Sequence, residues 1–234
     1  MARRIKFSVE EYYHIYNRGT DKRIIFEDEA DYERFLGLLY ACNKHASFTV
    51  RDISDSPGGL ASGRILEKLL GLECRVPVVA IGAYVLMPNH FHILIKEIKG
   101  GGISKFMHDL STAFTMYFNE KNQRKGGLFE GTFKARHVDF DQYLKYIFSY
   151  IHLNPVKLIE PKWKEGGIRV LSKAKEFLST YPYSSYFDYQ GQNRECAKIL
   201  DRDQFPDYFS STVDCNKHIN DWLLFKDQYN FPEK

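Results

Sequence analysis

Two histidines lie one residue apart in the stretch MPNHFHIL, residues 87–94. The residues before it, 78–87, read VVAIGAYVLM and predict a buried strand, and Pro88-Asn89 suits the centre of a type I turn. The chain then returns as a second strand, on which His90 and His92 share one face because side chains alternate. Two imidazoles placed in this way can bind a divalent metal together, or they can be half-exposed strand side chains bonded to backbone. The motif alone leaves both interpretations open.

A tyrosine and an asparagine form a second pair in KYIFSYIHLNPV, residues 145–156. Four apolar residues at helical spacing predict the buried stripe of this helix: Leu144, Ile147, Phe148 and Ile151. Tyr150 and Asn154 are four residues apart and lie one above the other beside that stripe. They can face the sheet surface that carries the histidines. Otherwise they are a boundary tyrosine and an asparagine that ends the helix before Pro155.

Composition describes a folded protein with a core. The chain has 234 residues, of which 44% are hydrophobic and 27% charged. The net charge of +3 permits a nucleic-acid partner without requiring one. The four cysteines form no C-x-x-C pair, which is typical of reduced thiols. Without a signal region or an 18-residue apolar run, we expect a cytoplasmic protein and no membrane.

The order of the predicted elements indicates the fold class. Strand, helix, strand hairpin, helix, strand and helix follow one another from the N terminus to residue 159. This order predicts an α+β, ferredoxin-like two-layer domain with an antiparallel sheet and helices on one face. Residues 54–75 interrupt it as an inserted excursion, and an aromatic, mainly helical C-terminal extension follows the last helix.

Several motifs in their order resemble one known family. MPNHFHIL, SYIHLNPV and YPYSSY are similar to motifs of the REP-associated tyrosine transposases, which are single-tyrosine HUH (insertion-sequence 200-like) transposases. HIYNRG near the N terminus and LFEGTFKAR before the tyrosine helix also resemble this family. The resemblance implies a catalytic domain over residues 1–160 and an extension packed on it over 161–234. The insertion at about 54–75 is longer than the family pattern.

The resemblance also implies a site and a reaction. In that family two histidines and the residue four positions after the nucleophile hold a divalent metal. Carried over, His90, His92 and Asn154 hold Mg²⁺ or Mn²⁺, and Tyr150 is the nucleophile. The implied activity is that of a metal-dependent endonuclease and strand transferase. It cuts single-stranded DNA near a hairpin through a 5′-phosphotyrosine intermediate.

Several basic and aromatic side chains have the chemistry needed to contact DNA. Basic side chains bind phosphates and aromatic rings stack on unpaired bases. We therefore expect Arg18, Lys134 and Arg136 to bind phosphates, and Tyr13 to stack on a base. The sequence leaves the oligomeric state open, a homodimer included.

Two other functions and one other nucleophile compete with this interpretation. A non-catalytic hairpin-binding protein could share the fold, and a His-x-His metallohydrolase could share the histidines. The latter needs further His or Asp ligands, and no Asp closely follows His92. Tyr117 is also on a long helix after the histidines, but it continues an apolar stripe and is predicted to be a core residue.

Overall fold

The computed structural model describes residues 5–44, 64–72 and 76–206, together with residues 211, 213, 217 and 219. Within these ranges an antiparallel sheet of four strands forms the centre of the protein. The strands are β1 (Tyr12–Arg18), β2 (Val79–Met87), β3 (His90–Glu97) and β4 (Lys134–Val138), in the spatial order β2-β3-β1-β4. The predicted hairpin is β2 and β3. Most of the predicted insertion, residues 54–63 and 73–75, lies outside the described residues.

Helices and 3₁₀ turns connect and follow the strands. The α-helices are α1 (Glu29–Lys44), α2 (Arg64–Leu70), α3 (Gly102–Lys121), α4 (Asp141–Leu153), α5 (Trp163–Gly166), α6 (Leu171–Leu178) and α7 (Tyr186–Tyr189). The 3₁₀ turns are Thr20–Lys22, Asn154–Leu158, Glu195–Ile199 and Arg202–Gln204. No helix among the described residues is long and apolar enough to cross a membrane.

The sheet is covered on both faces, which corrects part of the predicted architecture. Phe35 of α1 packs on Phe91 of β3, with ring centroids 5.0 Å apart, so α1 lies on the Phe91 face. Tyr150 of α4 packs on His92 at 5.3 Å, so α4 lies on the opposite face. The predicted α+β class and antiparallel sheet are confirmed. The prediction that the helices lie on only one face of the sheet is wrong. All nine residues of β2 are buried, and a strand that is apolar on both sides needs cover on both.

The aromatic segment YPYSSY lies along the free edge of β2. The backbone N–H of Leu86 donates to the Tyr183 carbonyl at 2.9 Å, and that of Ser185 donates to the Tyr84 carbonyl at 3.0 Å. Arg194 secures this segment through a 2.7 Å ion pair with buried Asp188 and a bond to the Ser184 carbonyl. The edge of β2 is therefore paired and unavailable for addition of another strand.

A buried histidine joins this segment to α4 and makes folding pH-dependent. The Nε2 atom of His152 lies 2.7 Å from the Ser185 hydroxyl oxygen, and its ring packs against Phe148. Burial lowers the pKa of His152 to about 3, with the charge of Arg202 adding to the effect. The unfolded chain, with a histidine pKa near 6.5, binds the proton that the folded state excludes. The stability that His152 contributes is therefore lost as the pH falls from about 6.5 towards 3.

His152→Gln should reduce the loss of stability in acid. Glutamine can keep a hydrogen bond to Ser185 but does not titrate. We expect wild type to lose about 2 kcal/mol more of its free energy of unfolding than the variant between pH 7.5 and pH 5. Urea unfolding at the two pH values measures this difference, and shared titrations elsewhere cancel in the comparison. Identical pH dependence in both proteins would contradict the assignment.

Candidate active site

The register of the sheet places both predicted histidines at one end of β3. His90 lies opposite Arg18, and His92 lies opposite Tyr16, on the central strand β1. The two imidazole centroids are 5.2 Å apart with their planes nearly perpendicular. Both rings therefore share one sheet face, as the strand alternation predicts.

The turn residue Asn89 determines which nitrogen of His90 carries the proton. The Asn89 side-chain N–H donates to the Lys22 carbonyl at 3.2 Å, which directs its amide oxygen towards His90. That oxygen lies 2.6 Å from His90 Nδ1 and can only accept a hydrogen bond. The hydrogen-bond pattern thus assigns the proton to Nδ1 and leaves the Nε2 lone pair of His90 available to a ligand.

A third histidine, His14 of β1, belongs to the site, although the sequence pattern did not predict it. Its Nε2 atom lies 2.9 Å from His92 Nδ1, and the two rings are stacked with centroids 5.0 Å apart. When His92 Nδ1 donates to His14, the lone pair of His92 lies on Nε2, the nitrogen that can bind a metal. The alternation of HIYNRG places His14 and Tyr16 on one strand face. Their approach to His92, however, depends on the pairing of β1 with β3, which no local pattern specifies.

The helix α4 and the turn after it bring in Tyr150 and Asn154. The half-buried Tyr150 ring lies edge-on to His92 and to His14, with centroid distances of 5.3 and 5.9 Å. Asn154 is fully buried at 0% exposure, and among the described residues its amide interacts with the His90 side chain. A buried amide that lacks hydrogen bonds costs about 1–3 kcal/mol, so a further ligand atom bound at this position would stabilise it. The four predicted residues are brought together.

The electrostatics of the site favour neutral histidine. Burial is the largest cause that lowers the pKa of His90 to about 4, and the positive charges of Lys157 and Arg18 act in the same direction. The Asn154 side chain opposes this change. At neutral pH the His90 imidazole therefore carries no charge, which is the form that binds a metal.

Three predicted basic DNA contacts lie on the histidine face. Arg18 is opposite His90, has a side chain 45% exposed and pairs with Glu130 at 2.7 Å. On β4, Lys134 lies opposite Tyr16 and Arg136 lies opposite His14. Lys134 is exposed and Arg136 is half-buried. These side chains thus border the site, as phosphate contacts would.

The predicted role of Tyr13 in base stacking is corrected. Tyr13 lies opposite Ile95, on the sheet face away from the histidines, and is only 2% exposed. Its hydroxyl accepts a hydrogen bond from the Ser8 backbone, so the ring is enclosed in the core. The aromatic residue of β1 that does face the site is Tyr16, half-buried and with ring centroids 5.1 Å from His14 and 5.6 Å from His92.

The alternative nucleophile Tyr117 and the alternative metallohydrolase site fit the structure less well than Tyr150 and the two histidines do. Tyr117 is buried, and its hydroxyl donates to Asp31 at 2.7 Å in the core between α1 and α3. In the part of the chain that the structure describes, no group of three or more His, Cys, Asp and Glu side chains could hold a metal. The multi-ligand site of a metallohydrolase is therefore not found within those residues.

Comparison with known proteins supports the transposase resemblance. Residues 65–154 match the model of the family described as Transposase IS200 like, a segment that contains both predicted histidines, Tyr150 and Asn154. This match to part of the chain agrees with the resemblance predicted from the motifs. A search of curated proteins gave no match.

A similar fold occurs in a solved structure of a REP-associated tyrosine transposase bound to a REP hairpin. The TM-score is 0.50 at 13% sequence identity, and the alignment covers 83% of this chain and 89% of that chain. The likeness confirms the fold.

Proposed function

We propose that this protein is a metal-dependent single-stranded DNA endonuclease and strand transferase of the single-tyrosine HUH type. It cuts near hairpin DNA and forms a 5′-phosphotyrosine intermediate. The observation that carries the proposal is the placement of Tyr150 against His92, on the helix that is followed directly by the buried amide of Asn154.

The metal would be held by His90, His92 and Asn154. Two neutral imidazole nitrogens and one amide oxygen would leave the remaining positions to water and phosphate oxygens, which are the ligands that Mg²⁺ and Mn²⁺ prefer. When bound, the ion would polarise a non-bridging phosphate oxygen and neutralise the charge that develops there. His14 and Asn89 hold the two imidazoles in orientation through their Nδ1 atoms.

The reaction of Tyr150 exchanges one phosphodiester bond for another. Its phenol oxygen loses its proton and bonds to phosphorus while the bond to the 3′ oxygen breaks. The 3′ oxygen leaves with the electron pair and takes up a proton, so no net proton is gained or lost. The DNA 5′ phosphate is then esterified to Tyr150. Because the energy of the cut bond is retained, the 3′-OH of a second strand can reverse the step and join the DNA.

The DNA partner is proposed to be a hairpin with a single-stranded flank. Arg18, Lys134 and Arg136 surround the histidine face and can bind phosphates, while Tyr16 offers an accessible ring beside the metal ligands. The solved structure with a similar fold is bound to a REP hairpin, which supports this class of substrate.

Binding should favour a hairpin with a single-stranded flank over a blunt duplex of equal length. Lys134→Gln should weaken hairpin binding and lower the slope of log K against log salt by about 1, because one phosphate contact is lost. Lys99→Gln, which removes an exposed charge just beyond the opposite end of β3, is the matched control. Fluorescence anisotropy over a salt series measures both effects. Equal affinity of the wild type for the two DNA forms would refute the hairpin preference.

A denaturing gel decides between cleavage and binding alone. Wild-type protein, a labelled hairpin-bearing single strand and Mn²⁺ should yield a labelled band that is shifted by the mass of the protein. A non-catalytic protein of the same fold would bind the hairpin but give no such band.

A further inference from the structure

Lys157 lies on the short turn that also carries Asn154. This 3₁₀ turn, Asn154–Leu158, follows α4 directly and has Pro155 in its first turn. With three residues per turn, side chains at positions i and i+3 lie one above the other, so Asn154 and Lys157 project from the same side. One turn therefore delivers both an amide and an ammonium group to the active site.

The contacts of Lys157 place its charge near both the nucleophile and a metal ligand. Its Nζ atom lies over the ring of Tyr150, 5.4 Å from the centroid. Its charge also acts on His90, where it is the largest cause after burial that lowers the pKa. The residue is half-buried, although lysine side chains are mostly exposed in folded proteins.

We infer that Lys157 forms a phosphodiester subsite in which its ammonium group binds a non-bridging oxygen of the scissile phosphate. This inference rests on the proposed function and names the group that receives the phosphate beside Tyr150. Lys157 donates a hydrogen bond and transfers no proton, so the bonds made and broken are those of the Tyr150 reaction.

A cation at this position is needed because the attack concentrates negative charge. A phosphodiester already carries one negative charge, and the incoming phenol oxygen adds more as its bond to phosphorus forms. A metal held by the histidines can balance charge on one phosphate oxygen, and Lys157 can balance it on another. In a half-buried site such an interaction is stronger than in water and is already in place before the reaction.

The test separates the effect of the Lys157 charge on the reaction rate from the effect of its packing on Tyr150. Single-turnover adduct formation is measured with Mn²⁺ and saturating hairpin-bearing single-stranded DNA for Lys157→Met, Lys157→Gln and Lys157→Arg. We expect the two neutral variants to react roughly 100- to 1,000-fold more slowly, as when one transition-state donor is removed. Their DNA affinity and melting temperature should change little, and arginine should restore most of the rate. Lys99→Met removes an equal charge away from the site and should react at the wild-type rate.

Each other outcome overturns the inference in a recognisable way. Wild-type rates for Lys157→Met and Lys157→Gln would show that the ammonium contributes nothing to the reaction. An arginine variant as slow as the methionine variant would show that the side chain acts by packing on Tyr150. Weaker DNA binding at an unchanged maximal rate would place Lys157 outside the transition state. If the wild type forms no adduct at all, the proposed function fails, and the subsite with it.

Discussion

Tyr150→Phe should bind hairpin DNA as the wild type does and form no covalent protein–DNA adduct. The change removes only the attacking oxygen, while the ring that packs on His92 and His14 is retained. Because water is a poorer substitute for a positioned nucleophile, strand cleavage should fall by more than about 10³-fold. A denaturing gel with labelled single-stranded substrate and Mn²⁺ measures the adduct, and anisotropy measures binding.

The helix supplies a matched control one turn earlier. Tyr146 stacks on Tyr150 with ring centroids 5.9 Å apart, so Tyr146→Phe removes a neighbouring hydroxyl from the same stack. This variant should still form the adduct. Tyr117→Phe should form it as well, since the Tyr117 hydroxyl bonds to Asp31 on the other side of the sheet. An adduct that survives Tyr150→Phe would show that another residue is the nucleophile.

Local periodicity was sufficient to predict the elements that present the site. The alternation of HFHIL places His90 and His92 on one face whatever the rest of the fold, because the side-chain period of a strand is two. The spacing of Leu144, Ile147, Phe148 and Ile151 likewise predicts which side of α4 is buried, and all four are buried in the structure. Tyr150 and Asn154 then follow beside that stripe from helical geometry alone.

Residues that act through another part of the chain could not be predicted in this way. His14 reaches His92 only because β1 pairs with β3 in one particular register. For Tyr13 the choice between core and site depends on which face of β1 meets α4, and the sequence pattern of the strand does not distinguish the two faces. Asn89 was interpreted as a turn residue, and its role towards His90 depends on the distant Lys22 carbonyl. Pairing between strands, rather than propensity within them, completes the site.

Loss of His92 should remove cleavage while the fold and DNA binding persist. In His92→Ala, the proposed metal site keeps His90 and the weak amide ligand Asn154, and the hydrogen bond from β1 is lost. His90→Ala should have the same effect, because one imidazole and one amide do not hold Mg²⁺ or Mn²⁺ firmly. Asn154→Ala should be milder, since water can replace a neutral amide oxygen. Adduct formation over a Mn²⁺ titration measures all three variants.

The control for these substitutions is another strand histidine that points away from the site. His137 lies on the opposite sheet face, paired with Glu11 at 2.7 Å, so His137→Ala should cleave like the wild type. Excess chelator should stop cleavage by the wild type without releasing the DNA, because the basic side chains that bind phosphates do not depend on the metal. Undiminished cleavage by His92→Ala, or by wild type in excess chelator, would mean that the two histidines of MPNHFHIL have a role other than holding a metal.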